Sequence, residues 1–386
     1  MKFVDDFRHA PSARALLAAL RRDVHPGATY RLMEFCGGHT HALWRYGLQE
    51  LLPPEVRMIH GPGCPVCVLP SARVDLAIAL AQHESVALCT FGDLLRVPGS
   101  HRTSLLHARA AGADVRSVYS PAEALELARR EPTRQVVFFA IGFETTAPAT
   151  ALLLEQAREL GLTNFSVHCN HLLTPSAMTS ILESTQVRRL AAVPIDGFVG
   201  PAHVSVVIGS RPYEHFAEEY RKPVVIAGFE PLDLLQAILM LVRQVNAGQA
   251  RVENQYRRAV TREGNARAQA VVSRVFELRR TFEWRGLGTI PYSALRIREA
   301  FSDLDAEQRF PLTLPAGREN PACQCGAVLR GALAPEECPL FGTLCTPESP
   351  IGSCMVSSEG ACAAHYTFGR RSRRASPPPA STEVGR

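Results

Sequence analysis

The sequence predicts an α/β protein: two parallel-sheet α/β domains facing a cleft, followed by an irregular, partly helical C-terminal domain. Three observations carry this. From about residue 30 to residue 245, short apolar runs alternate with stretches of helical periodicity, the order expected of parallel strands joined by crossover helices. Nearly every apolar run ends in a polar loop rich in glycine and proline, and ligands bind at the carboxyl ends of parallel strands. Beyond Trp284 the periodicity fades, and six of the eleven cysteines fall between Cys323 and Cys362.

Taken in order, residues 12–22 read as a helix. Residues 30–35 form a short strand ending at Cys36, and Gly37-Gly38 gives a permissive turn before a helix at 41–46. A second strand, Met58-Ile59-His60, runs into Gly61-Pro62-Gly63-Cys64-Pro65-Val66-Cys67. Residues 70–84 are helical because Val74, Ala77, Ile78 and Ala81 recur at i, i+3, i+4 and i+7. A third strand at 85–91 ends in the loop 92–100, and 104–111 is helical. A helix at 121–131 precedes the apolar run 136–141, the pattern of a strand buried on both faces. That run enters Gly142-Phe143-Glu144-Thr145-Thr146-Ala147-Pro148 and a helix at 149–160. The strand 165–169 ends at Asn170-His171, and a helix runs on to about residue 183. Strand and loop at 195–203, a last strand at 223–227 and a helix at 232–245 follow. Residues 251–280 read as one long helical stretch broken at Gly264-Asn265. The expected division is a first α/β domain at 31–118, a second at 119–245, a helical and cysteine-bearing domain from 1–30 and 246–368, and a disordered tail at 369–386.

The 386 residues are 46% hydrophobic and 20% charged, ordinary for a globular protein with room for two or three domains. No apolar run approaches the ~18–20 residues of a membrane span. The acidic start, Met1-Lys2-Phe3-Val4-Asp5-Asp6-Phe7, lacks an apolar signal core, so a cytoplasmic location away from membranes is expected. Most of the net charge of +5 lies in the tail, where Arg370, Arg371, Arg373, Arg374 and Arg386 oppose only Glu383. The remainder is near neutral, so no nucleic-acid partner is expected. Ser376-Pro377-Pro378-Pro379 has nothing to bury, hence the disordered tail. An odd number of cysteines, clustered in motifs, argues for metal or redox work over a disulfide framework.

The pair Cys64-Pro65-Val66-Cys67 should sit at a helix start, where unpaired N–H groups and the dipole favour a thiolate. Such a thiolate can be a nucleophile, half of a redox disulfide or a metal ligand. A structural zinc site is the bland alternative, with Cys36-Gly37-Gly38-His39-Thr40-His41 as its other half. In the C-terminal set, Cys323 and Cys325 are followed after twelve, six, eight and seven residues by Cys338, Cys345, Cys354 and Cys362. Zinc prefers close Cys pairs. Four thiolates from dispersed turns suit a cubane iron–sulfur cluster better, with disulfides a third option. Cys89 and Cys169 lie inside apolar strands and read as small core residues. His60, His168, His171 and His203 stand near strand ends, where a satisfied polar group is the default reading. His171 and His203 gain weight from falling in loops at the expected cleft.

Together, Cys36-Gly-Gly-His-Thr-His41, Gly61-Pro-Gly-Cys-Pro-Val-Cys67, Phe91-Gly-Asp-Leu-Leu-Arg-Val-Pro-Gly99, Gly142-Phe-Glu-Thr-Thr-Ala-Pro148, Cys169-Asn-His-Leu172, Gly197-Phe-Val-Gly-Pro-Ala-His203 and Ser357-Ser-Glu-Gly-Ala-Cys362 resemble the HypD family of hydrogenase maturation factors over residues 30–366. The resemblance implies three domains, two of them α/β around a central cleft. It implies a redox-active assembly scaffold that helps build the Fe(CN)2(CO) group of [NiFe] hydrogenases. It implies a small HypC-type chaperone as partner, a HypE-type cyanide donor with HypF upstream, and the hydrogenase large subunit as indirect recipient. It further implies a [4Fe-4S] cluster and a transient Fe(II) carrying CN and CO.

On that resemblance Cys36 holds the iron together with a cysteine of the chaperone, a soft thiolate suiting low-spin Fe(II). His39 is a nearby donor or ligand, or a buried structural histidine. Cys64 and Cys67 form a dithiol/disulfide that exchanges electrons as cyanide is attached. Glu144 handles a proton, or else caps a helix. The cluster ligands are Cys325, Cys338, Cys345 and Cys362. Cys323 and Cys354 are left over, Cys323 as an alternate ligand or the disulfide partner of Cys354. Two other classes compete. One is a stand-alone iron–sulfur/dithiol oxidoreductase acting on a small molecule in the cleft, although no Gly-x-Gly-x-x-Gly or Walker A motif marks a nucleotide pocket. The other is a zinc-stapled binding module without chemistry.

Overall fold

A computed structural model describes residues 5–183, 195–313 and 316–369. Of the tail 369–386, expected to be disordered, Gly369 is instead buried at the end of the helical turn His365–Gly369, and 370–386 lie outside the described residues. Nine strands build two parallel sheets: β1 (Tyr30–Glu34), β2 (Val56–His60), β3 (Val86–Thr90), β4 (Val115–Ser117), β5 (Gln135–Gly142), β6 (Phe165–His171), β7 (Gly197–Gly200), β8 (Val224–Ile226) and β9 (Val252–Asn254). The first sheet has the order β2-β1-β7-β8-β9 and the second β4-β3-β5-β6. All neighbours in both are parallel. β5 and β6 are buried almost throughout, as a continuous apolar run covered on both faces requires.

The strands group differently from the sequential halves 31–118 and 119–245. The chain lays down β1 and β2, crosses to build the entire second sheet, then returns to add β7, β8 and β9. Each half therefore contributes strands to both sheets. The reason lies in pairing. β1 joins β2 on one side, with Leu32 opposite Met58, and its other edge accepts β7, with Met33 opposite Phe198. An apolar run encodes its own burial but not which open edge takes a later strand.

The stretch 251–280 is not one helix. Val252–Asn254 is an edge strand on β8, Ala266–Val275 is the helix, and Phe276–Leu278 pairs antiparallel with Leu295–Ile297. The break was placed correctly, because Asn265 caps the helix by accepting the Ala268 N–H at 3.1 Å. β4, three residues at a sheet edge, gave too short a run to be read.

One hydrophobic core runs from Met33 and Ile59 of the first sheet, through Val137 and Phe139 of the second, to Cys325, Met355 and Cys362. Both sheets and the cysteine-rich segment thus share an interior. Arg73, 4% exposed on the helix Ser71–Ala81, pins the junction. It donates to Asn170 Oδ1 (2.5 Å), to the Cys169 carbonyl (2.9 Å) and to Glu307 Oε1 (2.5 Å). Cys89 and Cys169 are buried core residues, as their strands implied. Among the described residues, no helix is long and apolar enough to cross a membrane.

Candidate metal and thiol site

β1 and β2 run side by side and deliver their two cysteine loops to the same carboxyl end of the first sheet. Cys36 leaves β1 in extended conformation and precedes the helix Gly37–Arg45. The loops interlock through the backbone: Gly37 N–H donates to the Gly63 carbonyl and Gly61 N–H to the Glu34 carbonyl, both at 2.9 Å. A Cβ on Gly63 would overlap the Cys36 amide nitrogen, so only glycine permits this approach.

Cys36 is buried, and its thiol is pushed up to about 12, by burial first and then by the nearby carboxylate of Glu359, with Glu34 adding to it. The unliganded sulfur therefore keeps its proton. The same two carboxylates favour a cation at that position, so an incoming metal ion can displace the proton where a lone thiolate is disfavoured. His39, fully buried, uses Nε2–H to bond the Ala227 carbonyl at 3.0 Å. Its Nδ1 then carries a lone pair, buried and without a hydrogen-bond partner among the described residues. Burial holds His39 below the usual histidine range, so the ring is neutral. Its ring lies 5.2 Å from that of Phe229, which in turn stacks 4.2 Å from His203.

Cys64 caps the short helix Pro65–Val68, its sulfur accepting the Cys67 N–H at 3.3 Å. The expected thiolate is not found at Cys67. That residue is completely buried, and burial pushes its thiol well up. One turn of helix carries too little dipole to offset full desolvation. What surrounds Cys67 is sulfur. Its side chain lies beside those of Cys64 and Cys354, and its carbonyl accepts the Ser353 hydroxyl at 2.6 Å. Cys354, fully buried, in turn neighbours Cys325 and Cys362, and the Cys323 thiol donates to Cys325 Sγ at 3.2 Å. The cysteine left over at the sequence level is the one that joins the Cys64–Cys67 loop to the C-terminal set.

Cys323, Cys325, Cys338, Cys345 and Cys362 line one small pocket, closed by Val328, Leu340, Phe341 and Met355. Cys323, outside the chosen ligand set, therefore stands beside all four of its members. Among the described residues, no three His, Cys, Asp or Glu side chains converge tightly enough for a single metal ion. A cubane makes a different demand, since each thiolate binds a separate iron around a cavity. Five thiols on an apolar pocket fit that donor set. Arg96, from the loop after β3, clasps the segment through the carbonyls of Pro347 (3.0 Å) and Val356 (3.2 Å).

Glu144 lies in the loop after β5 and is buried. Its carboxylate accepts the Thr174 N–H (2.8 Å) and hydroxyl (3.0 Å), which ties the loop to the start of the helix Thr174–Glu183. Burial raises its pKa to about 7. It therefore caps a helix and also sits where a proton is exchangeable at neutral pH.

Two carboxylates escaped the sequence reading. Glu359 lies inside the motif 357–362 but gave no separate signal. Glu34 did leave one: a charged residue in the otherwise apolar run Leu32-Met33-Glu34-Phe35 must find partners if the strand is interior.

A family model named HypD, described as the hydrogenase formation hypA family, matches residues 11–369. The chain belongs to the HypD family. Curated relatives align along nearly its full length. The hydrogenase maturation factor HypD of Cupriavidus necator is 64% identical, over 96% of this chain and 98% of its own. That of Rhizobium leguminosarum bv. viciae is 62% identical, over 96% of each. The Escherichia coli K12 protein of the same name is 48% identical, over 95% of this chain and 98% of its own. Every motif named above lies inside the span that the HypD model covers.

Proposed function

We propose that this protein, a hydrogenase maturation factor by family, is the redox-active scaffold on which the Fe(CN)2(CO) group of [NiFe] hydrogenases is assembled. The observation that carries the reading is the run of sulfur contacts. It starts at Cys64 and Cys67, whose loop interlocks with that of Cys36, and passes through Cys354 to the cysteine-lined pocket. Fe(II) is the cargo. Cys36 holds it by its thiolate, with a second thiolate from a HypC-type chaperone. The His39 Nδ1 lone pair is a further donor, and Glu34 and Glu359 offset the positive charge. Cyanide comes from a HypE-type donor with HypF upstream, and the hydrogenase large subunit receives the finished group indirectly. Cys64 and Cys67 act as a dithiol/disulfide pair: closing it releases two protons and two electrons, the electrons passing singly through the cluster to an external one-electron acceptor, and reopening takes both back. Glu144, near neutrality, holds or passes a proton.

Cys325, Cys338, Cys345 and Cys362 would hold a [4Fe-4S] cluster, with Cys323 competing with Cys325 for one corner. Bound there, such a cluster supplies one-electron transfer. On this reading the work belongs in the cytoplasm.

The test is infrared spectroscopy of anaerobically purified protein, with and without a HypC-type chaperone, between the amide and aliphatic bands. Metal-bound cyanide and carbonyl stretches that vanish in Cys36→Ala support the scaffold. Iron and sulfide at four per chain without such bands would instead favour a stand-alone iron–sulfur/dithiol oxidoreductase.

A further inference from the structure

The turn that presents Cys36 is held by a carboxylate whose own bonding the reading above leaves aside. Glu34 is fully buried at the end of β1. Its Oε2 accepts the Cys36 N–H at 2.9 Å, and its Oε1 accepts the Thr40 hydroxyl from the first turn of the following helix. The same Oε1 lies 2.9 Å from Nδ1 of His60, at the end of β2. The polarity of this last bond is fixed from the other side of the ring. Trp44 Nε1–H, which can only donate, stands 3.2 Å from His60 Nε2. Nε2 is therefore the acceptor, and the ring proton sits on Nδ1, facing Glu34. Gln49 Nε2 lies 2.9 Å from the same ring nitrogen. On its outer side the Trp44 ring lies tilted by 50° against that of His365, centroids 4.2 Å apart, beside an open groove of which His60, Gln49 and Glu336 are also part.

Burying a carboxylate is costly, and apolar replacements of buried charges are often neutral or stabilising. Fold stability alone is thus a poor reason for Glu34. Its three donors have something else in common. Two belong to the Cys36 turn, and the third anchors that turn to β2, the strand that delivers Cys64. We infer that Glu34 and His60 are positioning residues for Cys36: Glu34 sets the backbone direction in which the thiol leaves β1, and His60, held in one tautomer by Trp44, holds Glu34. The inference rests on the reading that Cys36 carries the iron.

The experiment uses the full chain and reads amide hydrogen exchange in peptides covering residues 35–40, with β5 as an internal control for the fold. Glu34→Gln is expected to speed exchange at the Cys36 amide by ~10-fold, the scale of a lost hydrogen bond to a charged group. His60→Gln, whose amide reaches the Nε2 position, should do the same. His60→Asn places an N–H where Nδ1–H stood and should stay within ~3-fold of wild type. Space filling alone predicts the reverse order, since Gln is nearer to His in volume. Infrared cyanide and carbonyl intensity should follow the exchange series. The inference is overturned if Glu34→Gln leaves residues 35–40 unchanged, or if His60→Gln protects them as well as His60→Asn. Should β5 exchange rise too, the double variant Trp44→Phe/Gln49→Leu decides. It removes both donors to His60 Nε2, and must speed exchange at 35–40 alone; no change there overturns the inference. A wild type that shows the exchange pattern but no Cys36-dependent bands would refute the iron reading and leave the positioning intact.

Discussion

Replacing Glu307 by Gln removes one charge from a site where two guanidinium groups converge. Arg73 Nη2 lies 2.5 Å from Glu307 Oε1, while Arg279 bonds both carboxylate oxygens at 2.8 and 3.2 Å. Burial alone would push the Glu307 carboxyl up, but Arg73 and Arg279 outweigh it and hold it well below the usual range. Leaving a buried charge unpaired costs about 3–5 kcal/mol. Arg73 is 4% exposed but Glu307 is 23%, so the lower end, about 3 kcal/mol, is expected. With a urea m-value of about 3 kcal/mol/M, the midpoint should fall by about 1 M. The pH dependence has a definite sign. A depressed carboxylate stabilises the fold above its unfolded pKa of about 4.3, and that contribution is lost as pH falls below it. Glu307→Gln should therefore lose stability at pH 7 and be less acid-sensitive below about pH 4. Since Arg73 lies on the helix that follows the Cys64–Cys67 loop, the iron binding proposed for Cys36 should weaken as well. Urea titrations at pH 7 and pH 4 decide it. A loss under about 1 kcal/mol at pH 7 would mean that the Arg73 charge is already solvated, and the argument from burial fails.

Gly63→Ala should cost about 1–3 kcal/mol by overpacking against backbone that cannot rotate away, and should reduce the iron binding proposed for Cys36; melting and metal analysis measure both. Glu144, raised to about 7, stabilises the fold below its unfolded pKa, and that contribution is lost as pH rises through the folded value. Wild-type stability should fall by about 1.4 kcal/mol per pH unit between about pH 4.5 and 7 from this group. Glu144→Gln should flatten the slope, and identical slopes in the two proteins would exclude the assignment. Because Cys323 and Cys325 compete for one corner, the double variant Cys323→Ala/Cys325→Ala should lose acid-labile sulfide and iron that at least one single variant keeps. Retention by the double variant would remove that corner of the pocket from the cluster.

Much of the site was legible before the fold. Cys36, Cys64 and Cys67 stood out because glycine and proline punctuate their loops, and both loops do close on the same carboxyl end of the first sheet. The C-terminal cysteines stood out by density. Their division of labour did not. Cys354 and Cys323 had no spacing to distinguish them, because spacing along the chain says nothing of which sulfurs meet across a turn. Cys67 shows the same limit. Helix position favoured a thiolate, while its complete burial, visible only in three dimensions, pushes the thiol the other way.

The sequence by itself determined the α/β class, the strands with continuous apolar runs, and the loops that carry chemistry, since these follow from local periodicity and from backbone freedom at glycine and proline. Tertiary structure decided which sheet each strand joined, that residues 251–280 open as an edge strand, and that Glu34 and His60 stand behind Cys36. Those outcomes depend on contacts between residues far apart in the chain. Pairing partners, desolvation and charge at a site are set by what packs around it, and no local pattern carries that information.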